Sequence, residues 1–247
     1  MASPAARRAT NRTARVATWN AEWAPVGGVR GRRVTGVLSS LDADVICLTE
    51  GFAALLPDDG HIVEGARHGG FPDRAGQRRV LLWSRRPWGA TDDAARRALP
   101  HQGFVSAVTD TPVGSLRVLG VCVPWHHAGV RDGRHRSWEL HGAFLEGLGP
   151  IVRRDAAEGE VVAAGDFNQF VPRIWGPRAM EALLREALGP LRVATSGSVN
   201  GVDAPLIDHI AHSPGLEVVA LGAWPRRGPD GPRSDHDGVW VDLRALA

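Results

Sequence analysis

The chain has 247 residues, of which 43% are hydrophobic and 23% are charged. That is enough apolar material for one large core, and no linker-like stretch divides the chain, so we expect a single domain over residues 15–247. No apolar stretch approaches the roughly 20 residues of a membrane-spanning helix, and no apolar core follows the basic N-terminus. The pattern therefore argues against a membrane protein and a secretory signal, and predicts a cytoplasmic location.

Arginines are unevenly distributed along the chain, although the formal net charge is only +2. Residues 1–14 contain three arginines and no acidic residue, and we expect a disordered basic arm there. Further arginine clusters lie at 30–33, 78–79 and 85–86. Such clusters suit a polyanion or a phosphorylated substrate; the alternative is a solvated surface in a chain that uses arginine and no lysine.

Apolar runs and helical periodicity follow one another irregularly. In chain order they predict strands at 15–20, 44–50, 79–84, 105–108, 115–123, 161–164, 206–211 and 238–243, and helices at 29–41, 138–148 and 178–188. Because the two element types do not alternate strictly, we expect an α/β sandwich of two packed sheets rather than a doubly wound parallel sheet. Cys47 and Cys122 lie in strand-like runs, which predicts buried reduced thiols rather than a disulfide or a metal site.

The most specific motif is Gly-Asp-Phe-Asn-Gln at 165–169, directly after the apolar run at 161–164. The run predicts a buried strand, and we interpret Gly165 as a break at its end. Asp166 and Asn168 then leave the strand together. A carboxylate can bind a hard cation or accept a proton from water, and a neighbouring amide can donate a hydrogen bond to a phosphoryl oxygen.

The same arrangement recurs, in that polar residues follow apolar strands at several points of the chain. They are Asn20, Glu50, Asp166 with Asn168, Asp208, and Asp235 with His236. If these strand ends meet at one edge of a sandwich, their side chains form a polar cluster. Hard oxygen ligands without cysteine suit Mg²⁺ or Mn²⁺ rather than structural zinc.

Five of these segments, taken together, resemble the endonuclease/exonuclease/phosphatase superfamily with its DNase-like fold. They are 18–20, 44–50, 165–168, 207–210 and 234–236, in the family's order. The resemblance covers nearly the whole chain, from about 15 to 243. It implies a four-layer α/β/β/α sandwich with two packed mixed sheets, and the activity of a Mg²⁺-dependent phosphoesterase.

The resemblance also implies which residues bind the metal ion. Glu50 would be the main ligand of Mg²⁺ or Mn²⁺, and Asn20 and Asp235 would lie close to the ion. Metal coordination by one or two carboxylates leaves room for water and for phosphate oxygens of the substrate.

Four catalytic roles follow from the same resemblance. Asp166 would orient or deprotonate the attacking water, and Asn168 would hydrogen-bond the scissile phosphate. His236 would contact the phosphate while Asp208 orients its imidazole. Together with the metal, the imidazolium would offset the charge that grows during phosphoryl transfer.

The chain departs from the family pattern where the family has a catalytic histidine after the strand that precedes the Gly-Asp-Phe-Asn strand. Here the strand continues into Pro-Trp-His-His, so we expect His126, and secondly His127, to contact phosphate or act as general acid. The absence of tyrosine argues against a site like that of the abasic-site repair nucleases. Arg78 and Arg134 are further candidates for binding phosphate through a bidentate guanidinium.

Three functions are consistent with these residues. The first is a nuclease acting on DNA or RNA, supported by the arginine clusters and the basic arm. The alternative is a phosphatase or phosphodiesterase acting on a small molecule or a lipid head group, supported by the short loops and the modest net charge. A non-catalytic binding protein is the third, and the intact polar set argues against it. We expect a monomer, and the substrate itself does not follow from the sequence because family members share the phosphate site and vary their loops.

Overall fold

The computed structural model describes residues 13–66, 75–100 and 103–246. The longer strands are β1 (Thr13–Asn20), β2 (Val45–Phe52), β3 (His61–Glu64), β4 (Gln77–Ser84), β5 (Trp88–Thr91), β6 (Phe104–Thr111), β7 (Gly114–Cys122), β8 (Val161–Asp166), β10 (Asp208–His212), β11 (Leu216–Trp224) and β14 (Gly238–Ala245). Three two-residue strands complete the set, β9 (Arg192–Val193), β12 (Arg227–Gly228) and β13 (Gly231–Pro232). The helices are α1 (Val29–Ser40), α2 (Asp93–Ala98), α3 (Glu139–Glu158) and α4 (Arg178–Leu188).

Two six-stranded mixed sheets form the centre of the molecule. The first has the order β11-β14-β1-β2-β4-β3 and the second β5-β6-β7-β8-β10-β9. Within each sheet two strands run parallel, β1 with β2 and β7 with β8, and their other described neighbours are antiparallel.

The apolar residues divide into three clusters that define four layers. Alternation along β2 places Val45 and Cys47 in the cluster between the sheets, and Ile46 and Leu48 in the cluster under α1. The third cluster packs α3 and α4 against the outer face of the second sheet, around Phe144 and neighbouring residues. The predicted α/β/β/α sandwich of two mixed sheets is therefore confirmed, and both cysteines are buried free thiols as expected.

Several boundaries differ from the predicted ones. Thr13 and Ala14 belong to β1, where we expected the end of the basic arm, and residues 1–12 lie outside the described residues. Helix α3 continues ten residues past its predicted end, through Pro150, because Ile151 and Val152 keep its apolar face buried against the second sheet. The short strand β3 was not predicted, since most of its residues are exposed and show no apolar pattern.

Candidate active site at one edge of the two sheets

Strand direction brings the predicted polar residues to a common edge. Asn20 pairs with Thr49 at the ends of the parallel strands β1 and β2, and Asp166 pairs with Cys122 at the ends of β7 and β8. Asp208 instead begins β10 and faces Asp166 directly across the antiparallel pair. We expected each of these polar residues to follow a strand. This is wrong for Asp208, which begins β10, and for residues 235–236, which precede β14. Antiparallel pairing nevertheless brings them to the same edge.

Gly165 lies inside β8, where the backbones of β7 and β8 approach closely, and it does not end the strand as we expected. Its φ is +147°, and a Cβ atom at this position would lie 1.8 Å from the carbonyl oxygen of Val121 on β7. A side chain would therefore push β7 and β8 apart. The glycine of the motif keeps Asp166 in hydrogen-bonding register with the neighbouring strands.

The carboxylate of Asp166 is held by three hydrogen bonds. Its Oδ1 accepts from the backbone N–H of Asn168 at 2.9 Å, and its Oδ2 accepts from Asn168 Nδ2 at 3.0 Å and from Asn20 Nδ2 at 3.1 Å. Burial raises the pKa of Asp166 to about 7, while the charge of His236 opposes the rise and that of Asp208 adds to it. The group is therefore both fixed in orientation and basic for a carboxylate.

His236 and Asp208 form a hydrogen-bonded pair beside Asp166. His236 Nδ1 lies 2.5 Å from Asp208 Oδ2, and its Nε2 lies 3.7 Å from Oδ1 of the exposed Asp235. Burial lowers the pKa of His236, but the charges of Asp208 and Asp166 outweigh it and raise that pKa to about 10. The imidazole is thus charged, with Nδ1 bound to Asp208 and Nε2 left for a further partner.

Ser234 and Trp19 fix the segment that carries His236. The hydroxyl of Ser234 donates to the carbonyl of Asn20 at 2.6 Å and accepts from the backbone N–H of His236 at 3.1 Å. The indole N–H of Trp19 donates to the carbonyl oxygen of His236 at 2.8 Å. These contacts join the first sheet to the imidazole and position it against the second sheet.

Glu50 lies in β2 with a backbone that few residues other than glycine adopt. Its φ is +48°, and the pairing of β2 with β4 skips it between Thr49 and Gly51. Its carboxylate lies 3.5 Å from the guanidinium of Arg79. Burial raises the pKa of Glu50, the charge of Arg79 lowers it, and Asp166 and Asp235 add to the rise. Strain of this kind concentrates at functional positions.

These residues form one site, which we call the edge cluster: Asn20, Glu50, Asp166, Asn168, Asp208, Asp235 and His236. Residues 17–236 match the sequence model of the Endonuclease/Exonuclease/phosphatase family. The chain belongs to this family. Its members are hydrolases that act on phosphoester bonds. Comparison with curated protein sequences gives no match.

Solved structures of the family share the fold over almost the whole chain. An endonuclease/exonuclease/phosphatase from Bacteroides vulgatus has a TM-score of 0.68 and 15% identity, covering 95% of this chain and 99% of its own. The human Nocturnin catalytic domain with bound sulfate anion has a TM-score of 0.69 and 14% identity, covering 95% and 94%. AP endonuclease LMAP from Leishmania major has a TM-score of 0.63 and 12% identity, covering 99% and 91%. At these identities the likeness shows the fold alone.

The edge cluster has the donor chemistry of a divalent cation site. Ligand atoms of Asp166, Asp208 and His236 lie within 4.8 Å of one another, and Glu50 and Asp235 add two further carboxylates. The Oδ1 atom of Asp208 is buried without a hydrogen-bond partner among the described residues. Several carboxylates facing one another repel, and a hard cation with oxygen ligands is the group that relieves this repulsion. The divalent metal ion that the family typically uses therefore fits this donor set.

His126 and His127 lie in the loop after β7, in a group of aromatic rings. The ring of His126 is 4.2 Å from that of His127, and it also contacts three tryptophans, Trp125, Trp138 and Trp175. We call these five residues the aromatic cluster. A role of His126 in the reaction stays a prediction, and sequence reasoning missed Trp138, because it lies 12 residues beyond His126 in the chain.

The two predicted phosphate-binding arginines have acidic partners. Arg78 lies 2.5 Å from a carboxylate oxygen of Glu64 on β3, and the exposed Arg134 lies 3.5 Å from Asp132. Arg79, the next residue along β4, is the arginine beside Glu50. The sequence analysis named Arg78 and not Arg79, and a contact of Arg78 with substrate stays a prediction.

A second buried polar group, which we call the histidine–glutamine network, lies under the loop after β8. It contains His141, Gln169, Thr195 and His209. His141 Nδ1 lies 2.7 Å from the carbonyl of Pro124, and its Nε2 lies 2.7 Å from Nε2 of Gln169. His209 Nε2 lies 3.1 Å from the carbonyl of Gln169, and its Nδ1 lies 3.0 Å from the hydroxyl of Thr195. Both nitrogens of His209 and of His141 therefore have hydrogen-bond partners, and neither histidine was predicted to lie in the site.

Among the helices of the described residues, none is long and apolar enough to cross a membrane.

Proposed function

We propose that this protein hydrolyses phosphodiester bonds of nucleic acid with the help of a divalent metal ion, Mg²⁺ or Mn²⁺. The observation that carries this proposal is the edge cluster, in which a fixed, basic carboxylate, a carboxylate-paired histidine and several metal-type oxygens meet at one edge. A bound metal ion supplies charge that stabilises the phosphoryl transition state.

In this proposal Asp166 accepts a proton from the attacking water. Its three hydrogen bonds leave the carboxylate fixed relative to Asp208 and His236. A general base needs this fixed geometry first and a matched pKa second. Both amide hydrogens of Asn168 have acceptors, Asp166 and the carbonyl of Val123, so Asn168 orients the base; its contact to phosphate stays a prediction.

His236 contacts the phosphate through Nε2–H in this proposal. Asp208 accepts from Nδ1–H and so fixes the orientation of the charged ring. Glu50, with Asn20 and Asp235, would hold the metal ion on the side of the first sheet. Removing the metal ion or any of these carboxylates should therefore lower the rate of hydrolysis.

A basic groove between α1 and the segment before His236 favours nucleic acid as the substrate. It has a volume of about 520 Å³ and is lined by Arg32 and Arg33 of α1, with Arg233 and Asp230 from the segment before His236. Arg33 and Arg233 both pair with Asp230 at 3.1 Å, and with Arg32 the groove keeps an excess of positive charge. Arg233 directly precedes Ser234 of the site. Such a positive groove attracts a phosphate backbone.

The alternative substrate is a small-molecule or lipid head-group phosphate ester. One observation favours it, namely that Arg78 and Arg134 are engaged by acidic residues. Fewer uncompensated arginines near the site suit a substrate with a single phosphate group.

A substrate panel under Mg²⁺ separates the two, with Asp166→Asn as the blank. Plasmid DNA, single-stranded RNA, a small phosphodiester and an inositol phosphate form the panel. Cleavage of nucleic acid that the blank abolishes supports the proposal. Turnover of the small phosphodiester or the inositol phosphate, without cleavage of either nucleic acid, contradicts the proposal and supports the alternative.

A further inference from the structure

The aromatic cluster is built by the two loops that leave the active-site ends of β7 and β8. These strands are parallel neighbours, and Cys122 pairs with Asp166 at their ends. The loop after β7 carries Trp125, His126 and His127, and the loop after β8 carries Trp175. Ring centroids of Trp125, Trp138 and Trp175 lie 5.3, 5.4 and 4.8 Å from that of His126. The topology therefore places these rings at the same edge of the sheet as Asp166.

Two indole rings of this cluster are exposed to solvent. Trp125 is 46% exposed and Trp175 is 55% exposed, with Ile174 beside it at 58%. Core tryptophans of the same chain, Trp19 and Trp83, are below 2% exposed. Exposed aromatic faces next to a polar site indicate a binding surface, because apolar area of this size is normally removed from water.

The position of the cluster limits what can bind there. The carbonyl of Val123 accepts a hydrogen bond from Asn168 at 2.8 Å, so the loop after β7 begins in contact with the edge cluster. Trp125 follows two residues later, and Trp175 lies seven residues after Asn168. A group that stacks on these rings therefore binds at the same edge of the sheet as Asp166 and Asn168.

The chemistry of the cluster favours a flat, uncharged ring. Burial lowers the pKa of His126, and the neighbouring His127 lowers it further, so its imidazole is neutral near pH 7. Exposed Arg131, Arg134 and Arg136 lie in the same loop, and Arg134 pairs with Asp132 at 3.5 Å. Neutral aromatic faces with arginines around them match a base and its flanking phosphates.

We propose that the aromatic cluster is a stacking subsite for an unpaired nucleobase of single-stranded DNA or RNA. This rests on the proposed nuclease function, and it adds that the preferred substrate is single-stranded and that recognition is tolerant of sequence. A base inside a duplex has both faces covered by its neighbours and cannot reach these rings without leaving the stack. Every base has a π-face, so such stacking does not select one base.

The test compares an oligothymidylate with a matched oligonucleotide of tetrahydrofuran abasic sites, each cleaved under Mg²⁺. Alanine replaces Trp125 and Trp175 in turn, and phenylalanine at each position keeps a ring as the matched control. We expect each alanine variant to raise KM for the oligothymidylate about tenfold and each phenylalanine variant to change it by less than about threefold. KM for the abasic substrate should be the same in the alanine variants as in the wild type. Val219→Ala, an exposed apolar residue of β11, serves as the remote control.

Two results would overturn the subsite. The first is an equal loss on both substrates, which would mean that the rings only support the loops. The second is an unchanged KM for the oligothymidylate in both alanine variants. Equal cleavage of a duplex with the same dependence on the two rings would contradict the requirement for an unpaired base.

A binding measurement keeps this inference distinct from the proposed function. Quenching of indole fluorescence by oligothymidylate is recorded without metal, using the Asp166→Asn protein. Binding that weakens about tenfold in Trp125→Ala and Trp175→Ala supports the subsite even if no nucleic acid is hydrolysed. Absence of such binding overturns the subsite even if hydrolysis is found.

Discussion

Two buried polar groups lie on either side of the loop after β8, and they are built differently. In the histidine–glutamine network each imidazole nitrogen has a hydrogen-bond partner at 2.7 to 3.1 Å, and burial keeps both histidines neutral. In the edge cluster carboxylates face one another, and the buried Oδ1 of Asp208 has no partner among the described residues.

The difference distinguishes a structural network from the group of residues that we propose to be functional. A fully satisfied neutral network stabilises the fold and needs no ligand. A group of like charges with an unpaired buried oxygen costs stability, and a protein keeps such an arrangement where a ligand completes it. Asn168 and Gln169 are neighbours in the chain, yet their side chains belong to the edge cluster and to the histidine–glutamine network respectively.

The largest expected effect is on the edge cluster itself, from Asp166→Asn. The amide has the shape of the carboxylate but accepts no proton, so kcat should fall by about 10²- to 10⁴-fold. Substrate affinity and melting temperature should remain close to those of the wild type. The measurement is single-turnover hydrolysis together with thermal unfolding. Normal turnover by this variant would remove Asp166 from the role of base.

Glu50→Gln tests the metal side of the edge cluster. Loss of one carboxylate charge should raise the Mg²⁺ concentration for half-maximal activity by about 10- to 100-fold. A metal titration of the initial rate measures this. Glu64→Gln is the matched control, since Glu64 pairs with Arg78 outside the edge cluster. An unchanged metal dependence in Glu50→Gln would show that Glu50 does not bind the ion.

The histidine–glutamine network should respond to pH rather than to metal. Burial lowers the pKa of His209 to about 4, although its hydrogen bonds oppose the shift. The folded state thus binds fewer protons than the unfolded state below pH 6.5, so its stabilisation is complete above pH 6.5 and is lost as pH falls toward 4. Between pH 7 and 5 the wild type should lose about 2 kcal/mol more free energy of unfolding than His209→Gln.

Urea unfolding of both proteins at several pH values measures this difference. His209→Gln lowers the absolute stability by removing a buried contact, so the informative quantity is the change with pH and not the value at one pH. Parallel pH profiles for the two proteins would contradict a neutral buried His209. Addition of Mg²⁺ should change the free energy of unfolding of both proteins through the edge cluster. The difference between their pH profiles should remain unchanged.

Sequence reasoning named all seven residues of the edge cluster because they lie at or near strand ends. Asp166, Asp208 and His236 are each adjacent to an apolar run, and strand ends meet at an edge whichever direction the strand takes. It did not name Arg79, because the contact of its guanidinium with Glu50 joins two different strands and has no local pattern. It also gave the wrong reason for Gly165. The glycine is required because Val121 of the neighbouring strand leaves no room for a side chain, and only the folded structure shows this contact.

The histidine–glutamine network could not be predicted in the same way. Its central contact joins His141 and Gln169 across 28 residues, from a helix to a loop, and no local pattern marks either partner. The fold was predictable because apolar periodicity is local and repeated, as along β2 and β8. The extent of α3 was not predictable, since a proline usually ends a helical pattern. Here the burial of Ile151 continues the helix past Pro150.

The smallest expected effect comes from Gln169→Leu, which breaks the network next to the edge cluster. Leucine leaves Nε2 of His141 and the carbonyl of Met180 without the amide that now donates to them. The free energy of unfolding should fall by about 1–2 kcal/mol, while kcat changes less than about threefold, because Asp166 and Asn168 keep their own hydrogen bonds. Urea unfolding and kcat are measured on the same preparation. A fall in kcat as large as that of Asp166→Asn would mean that the two groups are one functional unit, and that the contrast between a structural network and a functional cluster is wrong.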